Sequence, residues 1–132
     1  MNEQFFENQS RFSFDETVER FSDAVTDSGW KITHTHNLQQ TMQNNGLEVL
    51  PAKVIELCKP KYAYNILSDD ALRVYSNMMP CRVSVYEKAD GKTYVSRMNV
   101  PMFAAQIGGV VQQTMADAYG EVEKFLKDMM VE

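Results

Sequence analysis

The sequence has no long apolar run, no excess of positive charge and no basic leader. Among its 132 residues, no apolar run approaches the roughly 20 residues that a membrane-spanning helix needs. The 13 basic residues are outnumbered by 18 acidic ones, and the net charge of −5 argues against a nucleic acid or an anionic membrane surface as partner. The opening Met-Asn-Glu-Gln lacks the basic start of a signal peptide. We therefore expect a protein with neither nucleic-acid nor membrane partners.

Cysteine is also scarce, since Cys58 and Cys81 are the only two in the chain. Two cysteines without a secretion signal are typical of reduced thiols, not of a disulfide framework, and they predict a cytoplasmic protein. The chain contains no Cys-x-x-Cys pair, no glycine loop that would cradle a phosphate and no nucleophile elbow. The common redox and nucleotide-binding classes therefore lose their usual support, and whether the protein is an enzyme is left open.

What the chain does contain is the composition of an ordinary globular domain. Apolar residues make up 44% and charged residues 23%, and 132 residues are typical of one domain. Residues 1 to 8 have no hydrophobic period, so we expect a flexible arm there and a single domain over residues 9 to 132.

Hydrophobic spacing predicts the elements of this domain. A short strand over residues 11–14 leads into a helix over 15–27, which Ser13 and Glu16 begin as a capping box. The other predicted elements are strands near residues 30–36, 53–58, 81–87 and 93–98, and a short helix over 61–67. Clustered strands with segregated helices indicate an α+β fold, a two-layer sandwich. We expect about five strands in a mixed or antiparallel sheet, with the helices packed on one face.

A long C-terminal helix is predicted from about residue 110. Its apolar residues alternate spacings of four and three, which is an a/d seam: Val111, Met115, Ala118, Val122, Phe125 and Met129. Tyr119 and Leu126 widen this stripe, as is typical of a helix that covers a sheet. We favour docking onto the sheet, and we also predict a homodimer, for which the same helix would supply contacts.

Polar and sulfur-bearing side chains on the predicted strands are the candidate chemistry. Glu56 and Cys58 share one face of their strand, and Cys81 begins the next strand of the sheet. If the two strands are antiparallel neighbours, both cysteines lie at the same end of the sheet; if they are parallel, the cysteines are roughly 20 Å apart. His34 and His36 share one face of another strand.

These residues allow a functional and a structural interpretation. Lys59 and Arg82, beside the cysteines in sequence, would lower the pKa of a thiol if they lay close to it. With His34 and His36, the two cysteines would bind a soft metal such as zinc. The structural alternative is that the cysteines are small core hydrophobes and that the histidines lie at an exposed edge.

Glu56 lies inside an apolar run, where a carboxylate needs a charged partner. Arg82 and Arg97 are the candidate partners in the sequence.

The chain resembles the DUF302 family over roughly residues 9 to 109. The matching residues are Gly29, Gly46, Pro51, Pro60, Pro80, Val83, Val85, Tyr86, Glu87, and Asn99 with Pro101. The resemblance implies a compact α+β domain that often dimerises, and it implies no settled biochemical role. Some relatives carry a similar Glu-x-Cys-x-Pro and a later Pro-Cys. In this chain Glu56 begins the first of these motifs and Cys81 ends the second. This chain departs from the family at His36-Asn37-Leu38 and at Val100.

These observations together predict a small-ligand or metal-binding module with a pocket near the two cysteines. The residues expected to bind the ligand or to react are Cys58, Cys81, Glu56, Arg82, Lys59 and Asn99. The alternatives are a thiol-dependent redox protein or enzyme and a non-catalytic interaction protein.

Overall fold

The structure, a computed structural model, describes residues 3 to 131. Within them, five strands form one sheet in the order β1-β5-β4-β3-β2, and every neighbouring pair is antiparallel. The strands are β1 (Phe5–Gln9), β2 (Lys31–Asn37), β3 (Ala52–Cys58), β4 (Cys81–Glu87) and β5 (Thr93–Met98). The helices are α1 (Phe14–Asp27), α2 (Leu38–Asn44), α3 (Pro60–Leu67), α4 (Val100–Ala105) and α5 (Gly109–Lys127), with a 3-10 helix at Asp70–Met78. The fold is α+β, as predicted, and the sheet is antiparallel, not mixed.

Helix α1 begins where its sequence predicts. The Ser13 hydroxyl accepts the backbone N–H of Glu16, and Asp15 adds negative charge to the first turn, where the helix dipole favours it. Phe21 and Val25 lie on the inner face of this helix and are fully buried. The chain leaves α1 at Gly29, whose φ of +86° suits glycine better than any side chain.

The core lies between one face of the sheet and the helices α1 and α5. Strands β3, β4 and β5 contribute Ile55, Leu57, Val83, Val85 and Val95, all fully buried. The residues that alternate with these along each strand face the other side of the sheet. Among them, Val54, Glu56 and Ser84 are only partly buried. The helices therefore cover one face of the sheet, and polar side chains occupy much of the other.

Helix α5 docks onto the sheet of its own chain. Ala118, Val122 and Leu126 belong to the main core, while Val111 and Met115 pack in a second cluster with α3 and α4. The a/d residues of α5 therefore pack within their own chain, and their spacing no longer supports a dimer contact through this helix. The homodimer stays a prediction.

The first strand is not where the sequence pattern predicts it. Residues 5 to 8, expected to be part of a flexible arm, form β1 together with Gln9 at the free edge of β5, and residues 11 to 13 are not in a strand. Residues 1 and 2 of the expected arm lie outside the described residues. In β1 the ring of Phe6 lies 6.3 Å from that of Tyr119, measured between centroids. Hydrogen bonds to a strand that is distant in sequence stabilise β1, and a local hydrophobic period does not reveal them.

A register shift in β2 places Ile32 and His34 on opposite faces of the sheet, although simple alternation would put both on one face. Ile32 pairs with Leu57 on the covered face, whereas His34 pairs with Glu56 on the open face. The irregularity lies between Ile32 and His34, and an extra residue at such a bulge reverses the alternation of the side chains. The two histidines therefore share the open face, and Ile32 joins the core cluster instead.

Candidate functional site

The sheet divides into two branches between β4 and β5. Pairing of these strands begins at Glu87 with Thr93 and ends at Ser84 with Ser96. Both strands continue beyond that point with different partners, because β4 stays paired with β3 as far as Cys81 and β5 pairs with β1 as far as Met98. A cavity of about 550 Å³ lies at this fork, and side chains of both branches line it.

The opposite walls of the cavity are helical and mostly apolar. They come from α3, from the end of the 3-10 helix and from α5, and include Tyr62, Ile66, Met78, Met115, Ala118 and Val122. Four of the nine methionines of the chain line the cavity. Apolar walls with a few polar groups, and a volume of this size, are typical of small-molecule pockets.

Both cysteines lie at the cavity, at the same end of the sheet. Cys81 is the pairing partner of Leu57, so Cys58 is one residue further along the neighbouring strand and faces the other side of the sheet. The topology is thus the antiparallel alternative of the two that the sequence left open. The structure brings the thiols to one cavity from two faces of the sheet.

The thiol pKa values are raised, and the expectation that a nearby cation would lower one of them is wrong. Burial raises the pKa of Cys58, and burial, followed by the neighbouring Cys58, raises that of Cys81 to about 11. Lys59 and Arg82 do line the cavity, but each is held by a carboxylate: Lys59 Nζ lies 3.2 Å from Glu121, and Arg82 Nε lies 3.1 Å from Glu56. Neither cation is among the causes that shift a thiol pKa.

Glu56 has two partners on the open face of the sheet. Its Oε1 accepts a hydrogen bond from His36 Nε2 at 2.5 Å, and its Oε2 accepts one from Arg82 Nε at 3.1 Å. The hydrogen bond from His36 is the largest cause that lowers the pKa of Glu56; burial opposes it, and the charge of Arg82 adds to it. Of the two predicted partners, Arg82 is therefore the one that binds Glu56.

The predicted metal ligands are not gathered into a metal site. The rings of His34 and His36 lie 4.3 Å apart, edge to face, and His36 is engaged by Glu56. Between residues 3 and 131, no group of three or more His, Cys, Asp or Glu side chains is arranged to hold a metal ion. The zinc site expected from Cys58, Cys81, His34 and His36 is therefore absent from the described residues.

A cluster around Glu121 borders the cavity, and sequence reasoning missed it. The Glu121 carboxylate accepts hydrogen bonds from Trp30 Nε1 at 3.0 Å, from Lys59 Nζ at 3.2 Å and from the Tyr62 hydroxyl. Burial raises the pKa of Glu121, but the three donors outweigh it and the net shift is downward. The hydrogen bond to Glu121 is also the main reason that the pKa of Tyr62 rises to about 12. A single buried tryptophan needs a polar partner, and that need was the available signal.

A second missed ion pair joins Arg97, which lines the cavity, to Glu123 of α5. Arg97 is only 7% exposed and makes a bidentate contact with Glu123, with Nε 3.0 Å from Oε2 and Nη2 2.9 Å from Oε1. Its Nη1 donates to Asn8 at 2.6 Å, and the Tyr119 hydroxyl donates to Glu123 at 2.7 Å. This network ties β1 and β5 to α5 and fixes one branch of the fork.

Asn99, expected among the ligand-binding residues, has a structural role. Its side-chain oxygen accepts the backbone N–H of Met102 at the start of α4, and its amide donates to the carbonyl of Glu3. It does not line the cavity. The residues of the predicted site that do line it are Cys58, Lys59, Cys81 and Arg82.

Residues 6 to 132 match the family model of a domain of unknown function, DUF302, and the chain belongs to that family. A solved structure, described as an uncharacterized conserved protein DUF302 from Bacillus stearothermophilus, has the same fold with a TM-score of 0.83. It is 18% identical, and the match covers 97% of this chain and 99% of that one. No curated protein matches the chain. Among residues 3 to 131, no helix is both long enough and apolar enough to span a membrane.

Proposed function

We propose that this protein is a non-catalytic module that binds a small, largely apolar molecule in the cavity at the fork of the sheet. The cavity of about 550 Å³ between β4, β5, α3 and α5 is the observation that carries the proposal. Small-molecule sites usually measure about 300–1,000 Å³ and combine apolar walls with a few polar groups that orient the ligand.

The side chains at the cavity suit binding better than turnover. Cys58 and Cys81, the only candidate nucleophiles singled out in the sequence, have raised pKa values, so the reactive thiolate is disfavoured near neutral pH. Tyr62, whose pKa is about 12, stays protonated and donates to Glu121. Strong acid–base catalysis needs a pKa close to the working pH, which these groups do not offer.

The cysteines, both free, support the further proposal that the protein works in a reducing cytoplasm. They contribute a soft, weakly polar patch to the wall, which suits an apolar ligand.

Binding of the neutral dye N-phenyl-1-naphthylamine tests the proposal. Trp30 is the single tryptophan and lines the cavity, so energy transfer from its indole to the dye reports binding, and the variants below locate it. We expect saturable transfer with a dissociation constant on the order of 1–10 μM, about −7 to −8 kcal/mol.

Two alanines of α5 provide a matched pair of variants. Ala118 lines the cavity, whereas Ala116 is exposed on the same helix. Ala118→Leu fills part of the cavity and should weaken dye binding about tenfold or more, equivalent to ~1.4 kcal/mol. Ala116→Leu should leave it unchanged. Ala63→Leu, on the α3 wall, repeats the test from the other side, in case Ala118→Leu disturbs the core.

Absence of energy transfer in the wild-type protein would contradict the proposal. Equal weakening by Ala116→Leu and Ala118→Leu, with unchanged thermal unfolding, would show that the dye binds elsewhere.

A further inference from the structure

The charges around the cavity differ from those of the whole chain. The chain carries 18 acidic and 13 basic residues, yet the cavity is lined by the cations Lys59, Arg82 and Arg97 and by no aspartate or glutamate of the described residues. The carboxylates that pair with these cations, Glu121, Glu56 and Glu123, do not line the cavity. A ligand in the cavity therefore meets positive groups only, which disfavours a cationic ligand and favours an anionic one.

Two of the three cations have little capacity left for a ligand. Arg97 is buried and gives both edges of its guanidinium to Glu123 and Asn8. Lys59 binds Glu121 and lies over the ring of Tyr62, 5.3 Å from its centroid. Both groups are held in place by the fold.

Arg82 differs from them. Its side chain is 64% exposed, and within the described part of the chain it makes one hydrogen bond, from Nε to Glu56. Its Nη1 and Nη2 atoms have no partner there. His36 holds the other oxygen of Glu56, so that carboxylate is fixed and orients the guanidinium through Nε. The free nitrogens form a fork suited to the two oxygens of a carboxylate or phosphate.

We propose that the ligand is a single-chain anionic amphiphile, with its apolar chain in the cavity and its carboxylate or phosphate head group on the Nη atoms of Arg82. This inference rests on the proposed function and adds the class of ligand. Arg82 belongs to β4 at the branch point of the sheet, so it lies between the open face of the sheet and the apolar interior of the cavity. A head group there stays near solvent, where a charge costs little to hold.

Displacement of the dye by four ten-carbon compounds tests the class of ligand. Decanoate and decyl phosphate carry the anionic head groups, decanol is neutral, and decyltrimethylammonium is cationic. All four are used below their micelle concentrations. We expect both anions to displace the dye and the cation to be the weakest competitor. The two anions also distinguish a carboxylate ligand from a phosphate one.

Variants of Arg82 and Glu56 move the affinity in opposite directions. Arg82→Gln should weaken decanoate about fivefold or more, because charge-assisted hydrogen bonds are lost, and should leave decanol unchanged. Glu56→Gln removes the competing negative charge and should tighten decanoate about twofold to fivefold. Arg73→Gln is the matched control, because Arg73 is exposed and does not line the cavity.

The outcomes separate this inference from the one on which it rests. If dye and decanol bind but Arg82→Gln changes decanoate and decanol by the same factor, the head-group assignment is wrong and the apolar cavity stands. If neither the dye nor any ten-carbon compound binds, the proposed function fails and this inference fails with it. An added 0.5 M salt should weaken decanoate and spare decanol, since Arg82 is exposed to screening.

Discussion

Replacing Glu121 by alanine removes the carboxylate of α5 that binds Trp30, just before β2, and Lys59 and Tyr62 at the start of α3. Trp30 is 3% exposed, so its indole N–H would be left buried without a partner, at a cost of about 1–3 kcal/mol. Lys59 and Tyr62 are only partly buried and regain water, so their lost contacts add about 0.5–1 kcal/mol together. We expect a loss of about 2–3 kcal/mol, out of a total stability of about 5–15 kcal/mol.

Urea unfolding followed by Trp30 emission and by circular dichroism measures this loss directly. For a chain of this size we also expect the Tm to fall by about 6–15 °C. Glu121→Gln keeps an acceptor for the indole and should lose less than Glu121→Ala. Gln112→Ala, at an exposed position of the same helix, is the control. If Glu121→Ala and Gln112→Ala differ by less than about 0.5 kcal/mol, the cluster does not hold these elements together.

Three further predictions concern the thiols, the open face and the core. Cys81, whose pKa is about 11, should be alkylated more slowly by iodoacetamide at pH 7.5 than Cys58, and more slowly than a free thiol, by peptide mass spectrometry; fast labelling of Cys81 would restore the reactive-thiol hypothesis. The pKa of Glu56 is lower in the folded protein than in the unfolded chain, so the ionised carboxylate stabilises the fold at every pH above the pKa of the unfolded chain. That stabilisation is lost as the pH falls through the lower pKa of the folded protein. The Tm difference between wild type and Glu56→Gln should therefore be full near pH 7 and shrink from about pH 4.5 downward, and a difference that does not change with pH would exclude this linkage. Leu126→Ala, at a fully buried position of α5, should cost about 2–5 kcal/mol by chemical denaturation, and a loss below about 1 kcal/mol would mean that α5 is not packed on the sheet.

Local signals in the sequence predicted most of the elements and their order. The capping residue Ser13 and the apolar spacing of α5 each act over a few residues. These features are consistent with the fold because local chemistry and tertiary packing agree there.

The fork and its polar clusters depend on pairings between distant residues, which local patterns do not contain. The Trp30–Glu121 contact spans 91 positions and the Tyr62–Glu121 contact spans 59. Beyond the last β4–β5 pair, β4 remains paired with β3 along its other edge and β5 with β1 along its other edge, and no turn residue marks that point. The bulge in β2 likewise moved Ile32 to the other face without a glycine or proline to announce it.

The sequence placed Glu56 and Cys58 on one strand and Cys81 and Arg82 on another, and it left open how the two strands pair. It did not reveal how far burial raises the pKa values of both thiols, or that carboxylates already hold the nearby cations, and the expected low thiol pKa was therefore wrong.

Methyl NMR of the methionines tests the central claim, that the cavity at the fork is the ligand site, most directly. Met78, Met79, Met98 and Met115 line the cavity, whereas Met42 in α2 and Met130 do not. With selectively labelled methionine methyl groups, titration with decanoate should shift the four cavity signals together and leave those of Met42 and Met130 in place. Shifts confined to methionines outside the cavity, or no shift at saturating decanoate, would contradict the account.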